Sequence, residues 1–474
     1  MSPEELEQLE RADPQAGEEK SAQFDEENRL KADFVRKVSD ALDEGDEALV
    51  YELVEPLHPA DIADLFELLQ RDERGKLAAA ITDLMSGEVI AELNDYVRED
   101  MVEALSPDAV ADIAEQLETD DAVQLIEDLD KEDQAAVLAE MDPEDRAAIE
   151  SALAYPEETA GRLMQRELIA VPEHMNVGHL IDYLRENEEL TTEFWEVFIV
   201  DPTHRPVGTC ALSWILRAPR HVALADVMKR DQTLIPVTMD QEEVALLFQK
   251  YALISAAVVD EAGRLVGQLT VDDIVHIIQE EAGEDVLLLS GAGEGDINEP
   301  IREAYVARVR WLIANLLTAT VASAIIATFE GTIEKMVALA TLMPIVAGIG
   351  GNAGTQTLAV TVRALATNQL TASNAWRAVR RELGIAFLNG LTVALVIGVV
   401  VALLFQNLAL GGVIAAAMLT NIVIAGLAGV FVPLTLERLK VDPAISSSIF
   451  VTMTTDSMGF LAFLGLATWS GLVN

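Results

Sequence analysis

Residues 451–467 read VTMTTDSMGFLAFLGLA. With its neighbours the stretch is long and apolar enough to cross a bilayer as a helix, which takes about 20 residues. Asp456 sits in its middle. A central Asp costs roughly 2.5–3.5 kcal/mol on insertion scales, so it marks an ion path unless a neighbouring helix hydrogen-bonds it. Thr452, Thr454, Thr455 and Ser457 surround it with hydroxyls.

Four more apolar stretches precede this one, giving spans at about 311–329, 336–362, 383–405, 411–436 and 444–472. Basic residues set the orientation, because Lys and Arg mark the cytoplasmic side. Arg308 and Arg310 precede the first span; Arg363, Arg377, Arg380 and Arg381 lie between the second and third; Arg438 and Lys440 lie between the fourth and fifth. The opposite side holds Glu330, Glu334 and Lys335, then the chargeless QNLALGG. The pattern predicts a multi-pass protein of the cell (inner or plasma) membrane, N-terminus cytoplasmic, C-terminus outside. An odd number of spans with a polar interior suggests a homodimer completing one pathway.

The second span contains MPIVAGIGGNAGTQTLAV. Pro344 and four glycines weaken a lipid-facing helix and are tolerated where backbone is buried or lines water. Gly350 and Gly354 form a GxxxG pair, which also reads as close helix packing. Asn352, Thr355 and Gln356 need partners or water, so this helix is expected to border the path. Asp442, in KVDPAIS at the cytoplasmic mouth, is either a second anionic point of the path or a helix N-cap before Pro443.

Oxygen ligands suit hard cations, and Mg²⁺ is usually held by one or two carboxylates with waters retained. His and Cys are absent from the membrane half, which disfavours zinc, copper or iron. Mn²⁺ and Co²⁺ stay open.

The charge is lopsided. The chain has 32 Lys/Arg, 80 Asp/Glu and a net charge of −48, yet only seven bases and six acids lie beyond Arg310. So negative a soluble half disfavours nucleic acid, whose phosphates need Lys and Arg. It favours cations, or else reflects a salt-adapted surface. The lone cysteine, Cys210, leaves no intrachain disulfide framework. MSPEELEQLERADPQ has neither a basic nor an apolar leader region, so no cleaved signal peptide is expected there.

After an acidic tail (1–29), residues 30–164 repeat short amphipathic helices, with starts at His58-Pro59, Ser106-Pro107, Thr119-Asp120, Asp130-Lys131 and Asp142-Pro143. They predict an acidic, all-α superhelical domain, its hand undetermined. Its acids read mostly as a solvated face; Asp120 and Asp121 are the pair to watch. From 165 to 280 short β runs alternate with helices. SAAVVDEAGRLVGQLTVDDIVHII (255–278) gives strand, turn, strand and then a helix opened by Thr270. That unit resembles a cystathionine β-synthase (CBS) domain, with Gly267, Thr270 and Asp273 in its G-x-L-T-x-x-D signature. VFIVDPTHRPVGTCALSWILR (197–217) looks like the partner repeat, without the Asp after Ser213. In such domains Thr270 and Asp273 face a ribose if a nucleotide such as ATP binds; the equal alternative is helix capping. Glu280, Glu281, Glu284 and Asp285 then crowd one helix, a like-charge arrangement a divalent cation bridging to Asp240 or Glu242 would relieve.

Four motifs together, YPEETAGRLM, RVRWLIANLL, PIVAGIGGNAGTQT and KVDPAISSSIFVTMTTDSMGFLAFLGLA, resemble the MgtE family of magnesium channels or transporters. The resemblance implies a multidomain membrane protein: an acidic superhelical N-domain, tandem CBS domains (165–280), a connecting plug helix (281–310) and five transmembrane helices (311–474), working as a homodimer. It implies Asp456, Asp442 and Asn352 in the pore. It also implies cytosolic Mg²⁺ sites at Asp240, Glu242, Asp273, Glu281, Glu284 and Asp285, with Gly161 offering a carbonyl; His276 stands where the family often has an acid. The expected function is Mg²⁺ uptake, shut off by cytosolic Mg²⁺. Rivals are a non-transporting CBS-type sensor, which does not need Asp456, a broader Mn²⁺/Co²⁺ transporter, and a CBS-bearing anion channel, which needs more spans. No clustered nucleophile or P-loop suggests an enzyme.

Overall fold

The computed structural model describes residues 23–102, 105–127, 129–187, 194–292, 295, 297–371 and 373–472. The side chains of Asp285 and Ser446 and most of the acidic tail lie outside the described residues. The chain divides into two units, residues 1–278 and 279–474.

In the first unit the segment up to Leu163 is helical. Its helices are mostly eight to thirteen residues, too short to persist alone in water. They start where caps dictate. Proline occupies the first turn of Pro59–Leu68, Pro107–Ala114 and Pro143–Leu153. The Asp130 carboxylate accepts from the Glu132 and Asp133 amides at the head of Lys131–Glu140. Packing supplies the rest of the stability, through one apolar core running from Leu30 to Ala152.

Two three-stranded sheets follow with the same topology. β1 (Ala170–Pro172) pairs parallel with β2 (Glu196–Val200), which pairs antiparallel with β3 (Pro206–Ala211). β4 (Leu234–Pro236), β5 (Ser255–Val259) and β6 (Leu265–Thr270) repeat this order. Both hairpins share a device. Asp201 accepts from the Thr203 and Arg205 amides, and Asp260 from the Ala262 and Arg264 amides. These backbone bonds hold both carboxyls below their usual range. The left-handed position is filled by His204 (φ 64°) in one turn and Gly263 (φ 76°) in the other. The expected hairpin, turn and helix thus form in both repeats.

The second unit holds five helices long and apolar enough to cross a membrane among the described residues. They are Ile301–Ala327, Ala338–Ala366, Ala375–Leu404, Leu408–Arg438 and Pro443–Trp469. At 1.5 Å per residue each runs roughly 40–46 Å, longer than a hydrocarbon core of about 30 Å. The helix expected at 298–310 and the span at 311–329 are one continuous helix, because VARVRWL contains nothing that breaks a helix. The fourth helix is the most deeply packed and the first the least.

Candidate cation sites

The fifth helix buries a stripe at every fourth residue: Ser447, Val451, Thr455, Gly459, Phe463 and Ala467. The second does the same with Leu342, Val346, Gly350, Gly354, Leu358 and Val362. Gly354 lets the two meet. A Cβ there would stand 2.7 Å from Val451 Cγ1 and 3.2 Å from Thr455 Cγ2. Asp456 follows Thr455, so it is turned about 100° from the buried stripe. It is half-buried. Among the described residues it makes no hydrogen bond; the interhelical bond that would have explained it structurally does not form. The nearby hydroxyls do not serve it either: Thr454 donates to the Phe450 carbonyl and Thr455 to the Thr452 carbonyl.

Asp442 is exposed and caps the fifth helix, its Oδ1 accepting from the Ala444 amide at 2.7 Å. Asn352 lies on the exposed face of the second helix, two residues from the packed glycines on either side. The sequence reading passed over Glu382. It is only 7 % exposed, pairs with Arg381 at 2.5 Å and borders a cavity of about 160 Å³ with Gln356 and Asn389.

In the first unit the acids converge where the head of helix Thr119–Glu127 and the segment around Gln165 meet the end of β6. Gln165 and Gln268 exchange both backbone hydrogen bonds at 2.9 Å. A Cβ on Gly267 would lie 2.7 Å from the Gln165 carbonyl, so glycine permits this approach. The Gln165 amide donates to Glu118 Oε2 at 2.6 Å and to Asp273 Oδ2 at 3.1 Å. The Thr270 hydroxyl also donates to Asp273. Thr119 Oγ1 donates to Glu167 Oε1 at 2.7 Å. Asp120 Oδ1 is buried with no hydrogen-bond partner.

So many carboxylates in one place cannot all ionise cheaply. Burial first, and then Asp273, pushes Glu118 up to about 7 and Asp121 up to about 6. Burial and Asp273 push Asp120 well above the usual range, and burial raises Asp273 itself. The structure therefore brings together Asp120, Asp121 and Asp273, and adds Glu118 and Glu167, which the sequence did not single out. A divalent cation is the chemical complement of this group.

Asp240 and Gly161 have other local roles. Asp240 caps Gln241–Tyr251, accepting from the Glu242 amide at 2.9 Å. The Gly161 amide donates to the Val237 carbonyl at 2.8 Å, and a Cβ there would strike the Tyr155 ring at 2.6 Å. Glu281 and Glu284 stand on the helix Val271–Ser290, in the second unit. The Asp285 side chain lies outside the described residues. Glu115, Asp142 and Asp145 form a further, exposed group with oxygens within 4.8 Å of one another.

A mid-span carboxylate without a hydrogen bond among the described residues, on a bundle of five apolar helices, and a first unit that gathers buried acids define a membrane protein of the cation-transporting class. Three family models match the chain: a divalent cation transporter domain, MgtE, over 343–466, the MgtE intracellular N domain over 57–158, and a CBS domain over 224–280. The magnesium transporter MgtE of Thermus thermophilus is 34% identical over 323 residues, 67% of this chain and 71% of that protein. Its counterpart in Bacillus subtilis is 31% identical over 323 residues, 68% and 71% of the two chains. The solved cytosolic domain of the Mg²⁺ channel MgtE in complex with ATP is 30% identical, covering 51% of this chain and 99% of that one at a TM-score of 0.47. The chain belongs to the MgtE family.

Proposed function

We propose that the chain conducts Mg²⁺ into the cell along a path lined by Asp456, and that cytosolic Mg²⁺ closes the path. The observation that carries the first half is the half-buried, unbonded Asp456 in mid-helix. A carboxylate with no protein donor is free to hold a partly hydrated cation through its waters. Asp442 and Asn352 belong to the same path. Both are exposed in a single chain, and a homodimer would enclose them. The cell membrane is the site of action, with the N-terminus cytoplasmic. Membrane potential drives the ion inward, by about 4.6 kcal/mol per 100 mV for two charges.

The second half rests on the cluster around Asp273. Without a cation its acids repel; with one they draw the N-domain against the second CBS-type sheet. A ligand shifts an equilibrium only by binding one state better, and a cation does so here by neutralising that repulsion. Asp240, Glu242, Glu281, Glu284, Asp285 and the Gly161 carbonyl are proposed as further regulatory ligands. Asp273, engaged by Gln165 and Thr270, serves the cation rather than a nucleotide ribose in this reading.

The test is flux into proteoliposomes holding the full-length protein, with Mg²⁺ as the sole divalent ion. The intact chain should admit Mg²⁺ and slow as Mg²⁺ rises on the cytosolic face. An Asp456→Ala protein that conducts like the intact chain would remove the path assignment.

A further inference from the structure

Asn421 lies in the fourth helix and is fully buried, at 0 % exposure. Its carboxamide is wedged between two glycines of other helices. A Cβ on Gly350 of the second helix would lie 2.0 Å from Asn421 Nδ2, and one on Gly459 of the fifth would lie 2.6 Å from it. Nδ2 donates to the Val346 carbonyl at 2.9 Å, one turn before Gly350. Oδ1 has no hydrogen-bond partner. A Cβ on either glycine would also lie 3.2 Å from this oxygen, so it faces positions that offer no hydrogen-bond donor.

Helix packing alone does not call for this residue. A leucine would fill the space without stranding a buried oxygen, which is costly in an apolar interior. What leucine lacks is the donor that ties the fourth helix to one carbonyl of the second and fixes their rotation. The same amide sets how closely the fifth helix approaches, at Gly459, three residues from Asp456. Three helices meet on one side chain, and two of them carry the residues proposed to line the path.

We infer that Asn421 is a positioning residue of the permeation path: its carboxamide fixes the second and fifth helices against each other and so places Asp456. This rests on the transport reading above. A displaced Asp456 alters how the ion's water shell is held, which differs between Mg²⁺ and the more readily dehydrated Mn²⁺. A loss of folded protein lowers both fluxes alike.

The experiment measures Mg²⁺ and Mn²⁺ flux separately in proteoliposomes, with thermal midpoints, for the full-length protein and four variants. Asn421→Leu removes the amide. Gly459→Ala keeps the amide but pushes it aside. Gly384→Ala, where nothing lies within 4 Å, is the control. Asp456→Ala tests the path itself. The expected result is a shift of about fivefold or more in the Mg²⁺-to-Mn²⁺ ratio for both Asn421→Leu and Gly459→Ala, the size of coupling neighbouring residues show, with Gly384→Ala unchanged. A ratio that stays at the wild-type value while total flux follows the thermal midpoint overturns the inference. So does aggregation of both variants beside a folded control. If Asp456→Ala leaves flux and ratio intact, it is the path reading that fails; if it abolishes flux while Asn421→Leu keeps the ratio, only the positioning role fails.

Discussion

The carboxylate in the fifth span stands alone, and those around Asp273 stand together. Among the described residues Asp456 makes no hydrogen bond, and it is the one acid of its helix. Burial raises the proton affinity of Glu118, Asp120, Asp121 and Asp273, and the Asp273 charge raises that of the first three further. In the function proposed above, one ion, Mg²⁺, would meet both. A lone carboxylate binding through water holds an ion weakly enough to release it, as conduction demands. Several convergent carboxylates hold it longer, as a sensor demands. On that proposal, the contrast teaches that ligand number would separate passage from regulation, on one chain and with one ligand chemistry.

The largest effect should come from the lone acid. Asp456→Ala and Asp456→Asn should each lower Mg²⁺ flux by about a hundredfold or more, as expected when an interaction made by one essential group is lost. Flux within twofold of the intact protein would place the path elsewhere and dissolve the comparison.

Next comes the packing that presents that acid. Gly354→Ala drives a methyl against Val451 and the buried Thr455. Overpacking of this kind costs about 1–3 kcal/mol, so the thermal midpoint should fall and flux should drop about tenfold. A methyl accepted without loss of either would mean that the second and fifth helices are not held at this distance.

The proposed sensor side should respond with the opposite sign. Asp273→Asn together with Asp121→Asn removes two mutually repelling charges. In Mg²⁺-free buffer the full-length protein should then resist protease within 1–278 better than the parent, while added Mg²⁺ should protect it no further. Flux should persist at cytosolic Mg²⁺ levels that silence the parent. Unchanged protection by Mg²⁺ would show that these acids are solvated charges only.

Much of this contrast was legible in the sequence, and the rest was hidden for identifiable reasons. Asp456 could be found because an acid amid VTMTT and SMGFLAF has no ordinary place in lipid. The hairpins were legible because Asp201 and Asp260 begin matching turns. The cluster around Asp273 was only half visible. Glu118 and Gln165 are 47 residues apart, and nothing local to either announces the other. Glu382 looked interfacial, since charges near the end of a span usually are. Its burial comes from neighbouring helices, which the linear pattern does not show. Asn421, in MLTNIVIAG, read as one polar residue in an apolar helix; the facing glycines lie 71 and 38 positions away.

The smallest effect expected is that of pH, and it separates the two regions cleanly. Glu118 has its folded value raised from 4.5 to about 7, and Asp121 from 3.8 to about 6. A group raised in this way contributes stability that is fully present below its unfolded value and is lost as pH rises through its folded value. In chelator, the first unit should therefore be most resistant to protease near pH 4–5 and should loosen progressively toward pH 7, by a few degrees in thermal midpoint. Mg²⁺ competes with those protons, so its protective effect should be small at pH 5 and should grow toward pH 7.5. Glu118→Gln should flatten the upper part of this profile. A profile that instead gains stability toward neutral pH in chelator would mean that cationic partners, and not burial among other acids, govern these carboxylates.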